Sequence, residues 1–272
     1  MIRDTLVVPI EAVGDGSPDR RQDLLAVEEP LEILVNGNVL SITMRTPGDD
    51  GDLATGFLVT EGVIEDASQI VSIGHGENES NSRRAGNTIR VDLRPDVEMD
   101  VERLRRSFVT HSSCGVCGKM SIESLEAKPR REMPDGAPVI AAELIHRLPQ
   151  VLRESQAAFE RTGGLHAAAL FSPDGRLLAL REDIGRHNAV DKLIGAALRN
   201  PAVEPGGCLM LVSGRAGFEL VQKAVMAGIP VLAAVGAPSS LAVETALRFR
   251  MTLLGFVRDR RFNIYSGGWR VR

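Results

Sequence analysis

The stretch CLMLVSGRAGFELVQKAVMAGIPVLAAVGAPSSLAVETALRFRMTLLGFVR, residues 208–258, decides the fold of the second half of this chain. In it, three apolar runs of strand length, at 208–212, 230–235 and 253–257, alternate with segments of helical spacing at 218–228 and 240–250. Runs that are apolar throughout are typical of strands covered by helices on both faces of a sheet. This stretch therefore predicts an α/β domain.

The alternation of strands and helices extends upstream of this stretch. Apolar spacing predicts a helix at about 141–160 and two strands at 166–171 and 176–180. It predicts a further helix through 189–198 that leaves Asp191 and Lys192 on its solvent side. Together these segments predict a C-terminal three-layer α/β domain at 139–272.

The first part of the chain predicts a smaller N-terminal α+β domain at 1–110. Residues 1–30 mix charges, Gly and Pro, and we expect them to be an unstructured lead-in. Residues 111–138 are rich in Ser, Gly, Pro and basic side chains, and we expect a flexible connecting loop there. The elements predicted within the domain are strands at 31–35, 39–43 and 88–93 and helices at 52–62 and 100–108.

Composition narrows the class of protein. A net charge of −4 and an aromatic content of 4% argue against a nucleic-acid partner, which needs a basic surface or several stacking rings. No signal peptide and no apolar run of bilayer-spanning length is recognisable, so we expect a cytoplasmic protein with no membrane partner. In that reducing compartment, 3 cysteines are not expected to form a disulfide scaffold.

The segment Ser112-Ser113-Cys114-Gly115-Val116-Cys117-Gly118-Lys119 is the sharpest chemical feature. Thiols two residues apart can share a metal, form a disulfide or support each other in persulfide chemistry. A neighbouring cation such as Lys119 raises the fraction of reactive thiolate. A structural zinc site normally needs four ligands, and no second ligand pair accompanies this one. We therefore favour reactive thiols over a metal site.

Three further segments are candidates for binding an anion. Residues 181–188 lead into a predicted helix that His187 would open, and 213–217 form a small-residue turn between a strand and a helix. Backbone N–H groups bind phosphate at such positions. Between Arg248 and Arg272 there are seven arginines and a single acid, Asp259, and arginine forks bind phosphate oxygens. Helix capping, chain reversal and a solvated basic strand would explain the same residues without a ligand.

Taken together, these segments resemble the FdhD family of formate dehydrogenase accessory sulfur carriers. The resemblance covers most of the chain, and it is the joint order of the motifs that makes it specific. The matching segments are Ser113-Cys114-Gly115-Val116-Cys117-Gly118-Lys119, Gly163-Gly164-Leu165-His166, Glu182-Asp183-Ile184-Gly185-Arg186-His187-Asn188, Ser213-Gly214-Arg215, Gly255-Phe256-Val257-Arg258 and Arg261-Phe262-Asn263-Ile264-Tyr265.

The resemblance implies a sulfurtransferase. A cysteine desulfurase would load a persulfide onto Cys114, with Cys117 as its helper, although the residues alone do not separate these two roles. The sulfur would pass to molybdenum bis(molybdopterin guanine dinucleotide) for formate dehydrogenase. The resemblance also implies a homodimer and a C-terminal domain similar to the cytidine deaminase fold. The residues expected to bind the cofactor, including its guanine-nucleotide moiety, are Phe256, Val257, Arg258, Asp259, Arg260, Arg261, Gly214, Asp183 and His187.

Two other functions stay open at this point. A cofactor-binding chaperone would use the same anion site, but its thiols would only assist docking. A zinc nucleobase deaminase would carry its Cys-x-x-Cys inside the α/β domain, after His-x-Glu. Here Cys-x-x-Cys precedes the domain, so the motif order disfavours a deaminase.

Overall fold

The computed structural model describes residues 4–16, 18–76, 86–97 and 133–272, which form a mixed α/β fold with three sheets. The predicted fold class is therefore confirmed. Cys114, Cys117 and the helix predicted at 100–108 lie outside the described residues. Within the described ranges, no helix combines the length and the apolar character needed to cross a bilayer.

The N-terminal part contains two of the three sheets. Its elements are β1 (Thr5–Ala12), β2 (Asp19–Ala26), β3 (Glu29–Val35), β4 (Asn38–Arg45), α1 (Asp50–Thr60), β5 (Ile70–His75) and β6 (Thr88–Leu93). A four-stranded sheet has the order β4-β3-β6-β5, and its buried Leu, Ile and Val side chains pack on those of α1. The strands predicted at 31–35, 39–43 and 88–93 and the helix predicted at 52–62 are thus confirmed.

The expectation of an unstructured lead-in at 1–30 is wrong. Strands β1 and β2 pair along their whole length as an antiparallel hairpin, from Thr5↔Ala26 to Ala12↔Asp19. Most of their side chains are exposed or only half-buried. Because neither face is buried in a core, the two strands lack the polar–apolar alternation that reveals a strand in a sequence.

The C-terminal part contains the third sheet. Its elements are α2 (Ala142–Ser155), α3 (Ala157–Thr162), β7 (His166–Phe171), β8 (Leu177–Asp183), α4 (Arg186–Leu198), β9 (Leu209–Val212), α5 (Phe218–Met226), β10 (Val231–Ala234), α6 (Ser240–Arg248), β11 (Thr252–Arg258) and β12 (Arg261–Ser266). The sheet has the order β12-β11-β10-β9-β7-β8. Its neighbouring strands pair in parallel at β9–β10 and β10–β11 and antiparallel elsewhere. The helix predicted at 141–160 is divided into α2 and α3, because the backbone leaves the helical conformation at Gln156.

Alternate residues of this sheet face two separate cores. Leu170 and Met210 pack among side chains of α4, α5 and α6, whereas Phe171 and Leu211 pack with α2. Such alternation follows from the two-residue period of a strand. It produces the predicted three layers of helix, sheet and helix. The implied likeness to the cytidine deaminase fold stays a prediction.

The two parts of the chain meet where α1 packs on α4 without intervening side chains. A Cβ atom at Gly56 would lie 1.8 Å from the carbonyl oxygen of Asp191, and one at Gly195 would lie 1.9 Å from that of Asp52. Only glycine permits such close backbone contact. The N-terminal and C-terminal parts of the chain therefore share a tight interface. The division into domains at 1–110 and 139–272 stays a prediction.

The prediction that Asp191 and Lys192 face solvent is wrong. Both are buried, because α1 covers the side of α4 that the helical period leaves polar. Each charge is paired, as a buried charge must be. Asp191 Oδ2 lies 2.8 Å from Lys223 Nζ, and Lys192 Nζ lies 2.7 Å from Asp183 Oδ2.

Candidate functional site

The parallel strands β9, β10 and β11 end side by side at one edge of the sheet. Backbone bonds continue past the strand ends there: the Gly236 N–H donates to the Gly214 carbonyl oxygen (2.9 Å), and the Phe256 N–H donates to the Gly236 carbonyl oxygen (3.0 Å). Ligands of α/β sheets bind where the carboxyl ends of the strands meet. We call this region, formed by 213–217, 235–239, 255–261 and the first turns of α4, α5 and α6, the carboxyl edge.

Glycines at the carboxyl edge let the ends of the strands and the following loops lie close together. A Cβ at Gly255 would lie 2.8 Å from Pro238 Cδ and 2.9 Å from Tyr265 Cε2, and a Cβ at Gly236 would lie 3.0 Å from the Gly214 carbonyl oxygen. Larger residues would force the three strand ends apart. Gly214 itself lies beside the imidazole of His166, whose Nδ1 would be 3.6 Å from a Cβ added to this glycine.

Three helices begin at this edge, each as the next element of the chain after a strand. The N-cap residues of α4 and α5 are Gly185 and Gly217, which have no side chain to accept a hydrogen bond from the first turn. The N-cap of α6, Ser239, does accept one, from the Ala242 N–H (3.2 Å). The N-terminus of α4 therefore offers backbone donors and a positive dipole end, which favour an anion. At α5, the Glu219 carboxylate already lies in the first turn and accepts a hydrogen bond from its own backbone.

The hairpin that joins β11 to β12 contains most of the predicted cofactor residues. Phe256, Asp259 and Arg260 all have positive φ, at 55°, 53° and 55°. Positive φ is strained for residues other than glycine, and such strain clusters at functional sites. The hairpin leaves Arg258, Arg260 and Arg261 exposed. Val257, in contrast, is completely buried in the core below the sheet, so its side chain has no access to a ligand at this edge.

Arginine charge at the carboxyl edge is mostly not neutralised by the protein. In the described part of the chain, no ion pair or hydrogen bond engages the guanidinium groups of Arg186, Arg215, Arg260 or Arg261. Arg258 lies 3.8 Å from Asp259. Guanidinium groups without an ion pair are suited to bind phosphate oxygens.

Two histidines and one glutamate lie among these cations. Burial lowers the pKa of His166, and the charges of Arg186 and His187 lower it further, so this imidazole is neutral near pH 7. Burial alone would raise the pKa of Glu219, but His187 and Arg186 outweigh it and hold that pKa below its usual value. His187 Nε2 is 3.8 Å from Glu219 Oε2 and is buried without a hydrogen bond.

Asp183 lies beneath the edge with no exposed surface. Its carboxylate accepts hydrogen bonds from the N–H groups of Thr46 (3.1 Å) and Gly185 (2.8 Å) and from Asn188 Nδ2 (3.2 Å), and it pairs with Lys192. All four partners belong to the protein. The predicted direct contact of Asp183 with a cofactor stays a prediction, and this burial does not favour it.

The two predicted catalytic residues, Cys114 and Cys117, lie outside the described residues, but the chain that follows them is anchored. Arg270 is almost fully buried and donates to the carbonyl oxygens of Pro134 (2.6 Å) and Ala137 (2.9 Å). Residues 134–137 of the loop predicted to be flexible are therefore fixed. The third cysteine, Cys208, is buried, and burial raises its pKa to about 11, which disfavours a reactive thiolate.

Several residues of the carboxyl edge were not predicted as site residues. Arg186, His166 and Arg215 lie within the quoted motifs, and the expectation that the strand-to-helix segments converge could have singled them out. Glu219 and Gly236 lie outside the motifs. One feature of the sequence could have indicated Gly236 as a site residue. It comes directly after the apolar run at 230–235, much as Gly214 comes soon after the run at 208–212.

The fold and this edge define a class: an α/β protein with a glycine-lined, arginine-rich candidate anion site at the carboxyl ends of its parallel strands. Residues 26–272 match the family described as FdhD/NarQ. This chain belongs to the FdhD/NarQ family.

Individual relatives agree with this assignment. The chain is 51% identical over 261 residues to a sulfur carrier protein FdhD of Streptomyces coelicolor, covering 95% of this chain and 93% of the relative. It is 48% identical over 256 residues to a protein of the same name from Mycobacterium tuberculosis, covering 92% of each. A crystal structure of a candidate formate dehydrogenase accessory protein from Desulfotalea psychrophila matches with a TM-score of 0.80 over 99% of this chain and 100% of that one. At 24% identity, that match supports the fold.

Proposed function

We propose that this protein is a sulfur carrier that takes up persulfide sulfur on Cys114 and Cys117 and transfers it to molybdenum bis(molybdopterin guanine dinucleotide), for the benefit of formate dehydrogenase. The observation that favours a nucleotide-bearing acceptor is the carboxyl edge, where the N-terminus of α4 has no side-chain cap and four arginines of the described structure, Arg186, Arg215, Arg260 and Arg261, have no ion pair. The relatives named sulfur carrier protein FdhD support the sulfur chemistry. A cysteine desulfurase is the proposed donor.

The proposed transfer takes place in two balanced steps. The Cys114 thiolate attacks the outer sulfur of the donor's persulfide, so that the donor regains its thiol and Cys114 carries the persulfide. The Cys117 thiolate then attacks the inner sulfur of the Cys114 persulfide, so that a Cys114–Cys117 disulfide forms and the outer sulfur leaves as sulfide. The sulfide replaces an oxygen ligand of the acceptor, and that oxygen leaves as water. Direct transfer from Cys117 is the alternative order of events.

The residues of the carboxyl edge fit the phosphates of such an acceptor. Arg258, Arg260 and Arg261 belong to a hairpin with three non-glycine residues at positive φ, and their guanidinium groups would bind pyrophosphate oxygens. Gly214 leaves room beside His166 for a ligand to approach the backbone. Phe256 is half-buried, with the guanidinium carbon of Arg258 5.9 Å from the centre of its ring, and it would cover a flat ring of the acceptor.

Mass spectrometry of the intact chain tests the sulfur step. The protein is incubated with a cysteine desulfurase and L-cysteine and then weighed before and after reduction. We expect the mass of one additional sulfur, lost on reduction and absent in Cys114→Ala. Cys208→Ser is the matched control, because the buried Cys208 thiol should not take part, and it should gain sulfur as the wild type does. No gain in any variant would favour a cofactor-binding chaperone without transfer chemistry.

The deaminase alternative gains no support from the one His-x-Glu sequence in the chain, His75-Gly76-Glu77. His75 lies at the end of β5, where Nε2 is 3.3 Å from Asp50 Oδ2 and Nδ1 is 2.9 Å from the Thr88 carbonyl oxygen. Both ring nitrogens are thus engaged, in the N-terminal sheet.

We also propose that the protein is a homodimer. The mass of one chain is 29.3 kDa, so light scattering coupled to size-exclusion chromatography should give about twice that value. A monomeric mass would refute the dimer without affecting the proposed chemistry.

A further inference from the structure

The end of β4 is bonded to the turn that leads from β8 into α4. The Thr46 N–H donates to Asp183 Oδ2 (3.1 Å), and the Ile184 N–H donates to Thr46 Oγ1 (3.1 Å). Lys192 Nζ donates to the Thr46 carbonyl oxygen (2.8 Å). Thr46 thus engages the turn and the helix through its N–H, its carbonyl group and its hydroxyl group.

Asn188, in the first turn of α4, makes a second set of bonds to β4. Its Nδ2 donates to the Met44 carbonyl oxygen (2.7 Å), and its Oδ1 accepts a hydrogen bond from Thr43 Oγ1 (3.1 Å). The segment 184–188 is therefore tied to β4 at both of its ends. Short segments held at both ends have little conformational freedom left.

Arg186 and His187 lie between these two sets of bonds, at the carboxyl edge. Their own side chains are not fixed by comparable contacts: in the described structure Arg186 has no hydrogen bond or ion pair, and His187 Nε2 has no hydrogen bond. A binding site needs its ligand-contacting residues held by supporting bonds. For Arg186 and His187, those bonds come through the backbone from β4.

We propose that Thr46 is a positioning residue of the nucleotide site, which sets the place of Arg186 and His187 at the carboxyl edge. It does so from the N-terminal part of the chain, across the interface between the two parts. The inference rests on the proposed function, because it requires that this edge binds the guanine nucleotide. It also gives the buried pair of Asp183 and Lys192 a role, since both hold Thr46 and neither is exposed to a ligand.

Thr60 provides a matched control for Thr46. It too is a buried threonine of the N-terminal part whose hydroxyl group bonds to the C-terminal part: it donates to Asp191 Oδ1 (2.8 Å) and accepts from Lys223 Nζ (2.9 Å). Its partners do not belong to the segment 184–188. Loss of either hydroxyl group weakens the same interface, but only loss of the Thr46 hydroxyl releases the Ile184 N–H.

The test is the affinity of the full chain for GDP, measured by titration calorimetry, with thermal melting measured in parallel. Thr46→Val should raise the Kd for GDP about fivefold or more, which corresponds to one lost hydrogen bond. Thr46→Ser retains the hydroxyl group and should bind like the wild type. Thr60→Val should lower the melting temperature as Thr46→Val does, yet change the Kd by less than about twofold.

The other possible results of these titrations would refute either the role of Thr46 or the nucleotide site itself. An unchanged Kd in Thr46→Val, or equal losses of affinity in Thr46→Val and Thr60→Val, would leave Thr46 with a structural role only and refute the inference. A wild type without measurable affinity for GDP would refute the nucleotide site of the proposed function, and the inference with it. If Thr46→Val does not fold, Thr43→Val is the substitute. It removes the hydrogen-bond donor to Asn188 Oδ1 and should also raise the Kd for GDP.

Discussion

Substitution of Gly56 by alanine tests the contact between α1 and α4 on which the carboxyl edge depends. The added Cβ would lie 1.8 Å from the Asp191 carbonyl oxygen and 2.6 Å from its carbonyl carbon. Both are backbone atoms, so the helices must separate. Because no side chain can move aside instead, the cost should lie at the upper end of the ~1–3 kcal/mol typical of overpacking. Alanine also favours the helix by about 1 kcal/mol over glycine.

We therefore expect a net loss of about 2 kcal/mol in the free energy of unfolding, or a fall of roughly 4–8 °C in melting temperature for a chain of this size. Gly51→Ala is the matched control, because it lies in the same helix. A Cβ added at Gly51 would have Arg199 Nη1 as its nearest neighbour, at 2.9 Å, and that atom is the end of a flexible side chain.

Differential scanning fluorimetry and urea unfolding of the two variants measure the effect. Gly51→Ala should melt at or slightly above the wild-type temperature. Equal melting temperatures for Gly56→Ala and Gly51→Ala would refute the argument that α1 and α4 are in backbone contact.

Three further predictions concern the ion pairs and the hairpin. Burial alone would lower the pKa of Lys223, but Asp191 and Glu61 raise it. Lys223→Met leaves Asp191 buried without its cation and should cost ~3–5 kcal/mol in urea unfolding, part of which Asp191→Leu in the same chain should restore. Asp50 raises the pKa of His75, so the stabilisation from this contact is complete below about pH 6.5 and is lost as pH rises through the raised pKa. The stability difference between wild type and His75→Gln should thus shrink as the pH rises above about 6.5, and a constant difference would contradict this prediction. Arg260→Ala should weaken GDP binding roughly tenfold and reduce its salt dependence, whereas Arg20→Ala, on β2, should do neither.

Most of the C-terminal sheet was predictable, because β7, β9, β10 and β11 are largely apolar and the helices have clear periodicity. The ends of β9, β10 and β11 followed from the runs at 208–212, 230–235 and 253–257. The convergence of 213–217 and 255–261 at one edge then follows from the rule for parallel strands. The hairpin of β1 and β2 was missed, because strands that bury neither face have no diagnostic pattern.

The polar face of α4 shows why other predictions failed. Asp191 and Lys192 occupy positions that the helical period assigns to solvent, but α1 covers them and other parts of the chain supply their partners. A period shows which side of a helix is polar, not what packs against it. Several inferences stay predictions: the catalytic role of Cys114 and Cys117, the desulfurase donor, the molybdenum cofactor and the cytoplasmic location.

By itself, the sequence determined the α/β class, the alternation of strands and helices after residue 139 and the family motifs, because these depend on local periodicity and on residue identity. Tertiary structure alone decided that Thr46 supports Ile184, that Gly56 contacts Asp191 and that Arg186 in α4, Arg215 after β9 and Arg260 after β11 belong to one edge. Thr46 and Ile184 are far apart in the chain, and no local pattern encodes which distant backbone will satisfy a given hydrogen bond. Packing of the two parts settles such pairings, because each buried polar group must find its partner there.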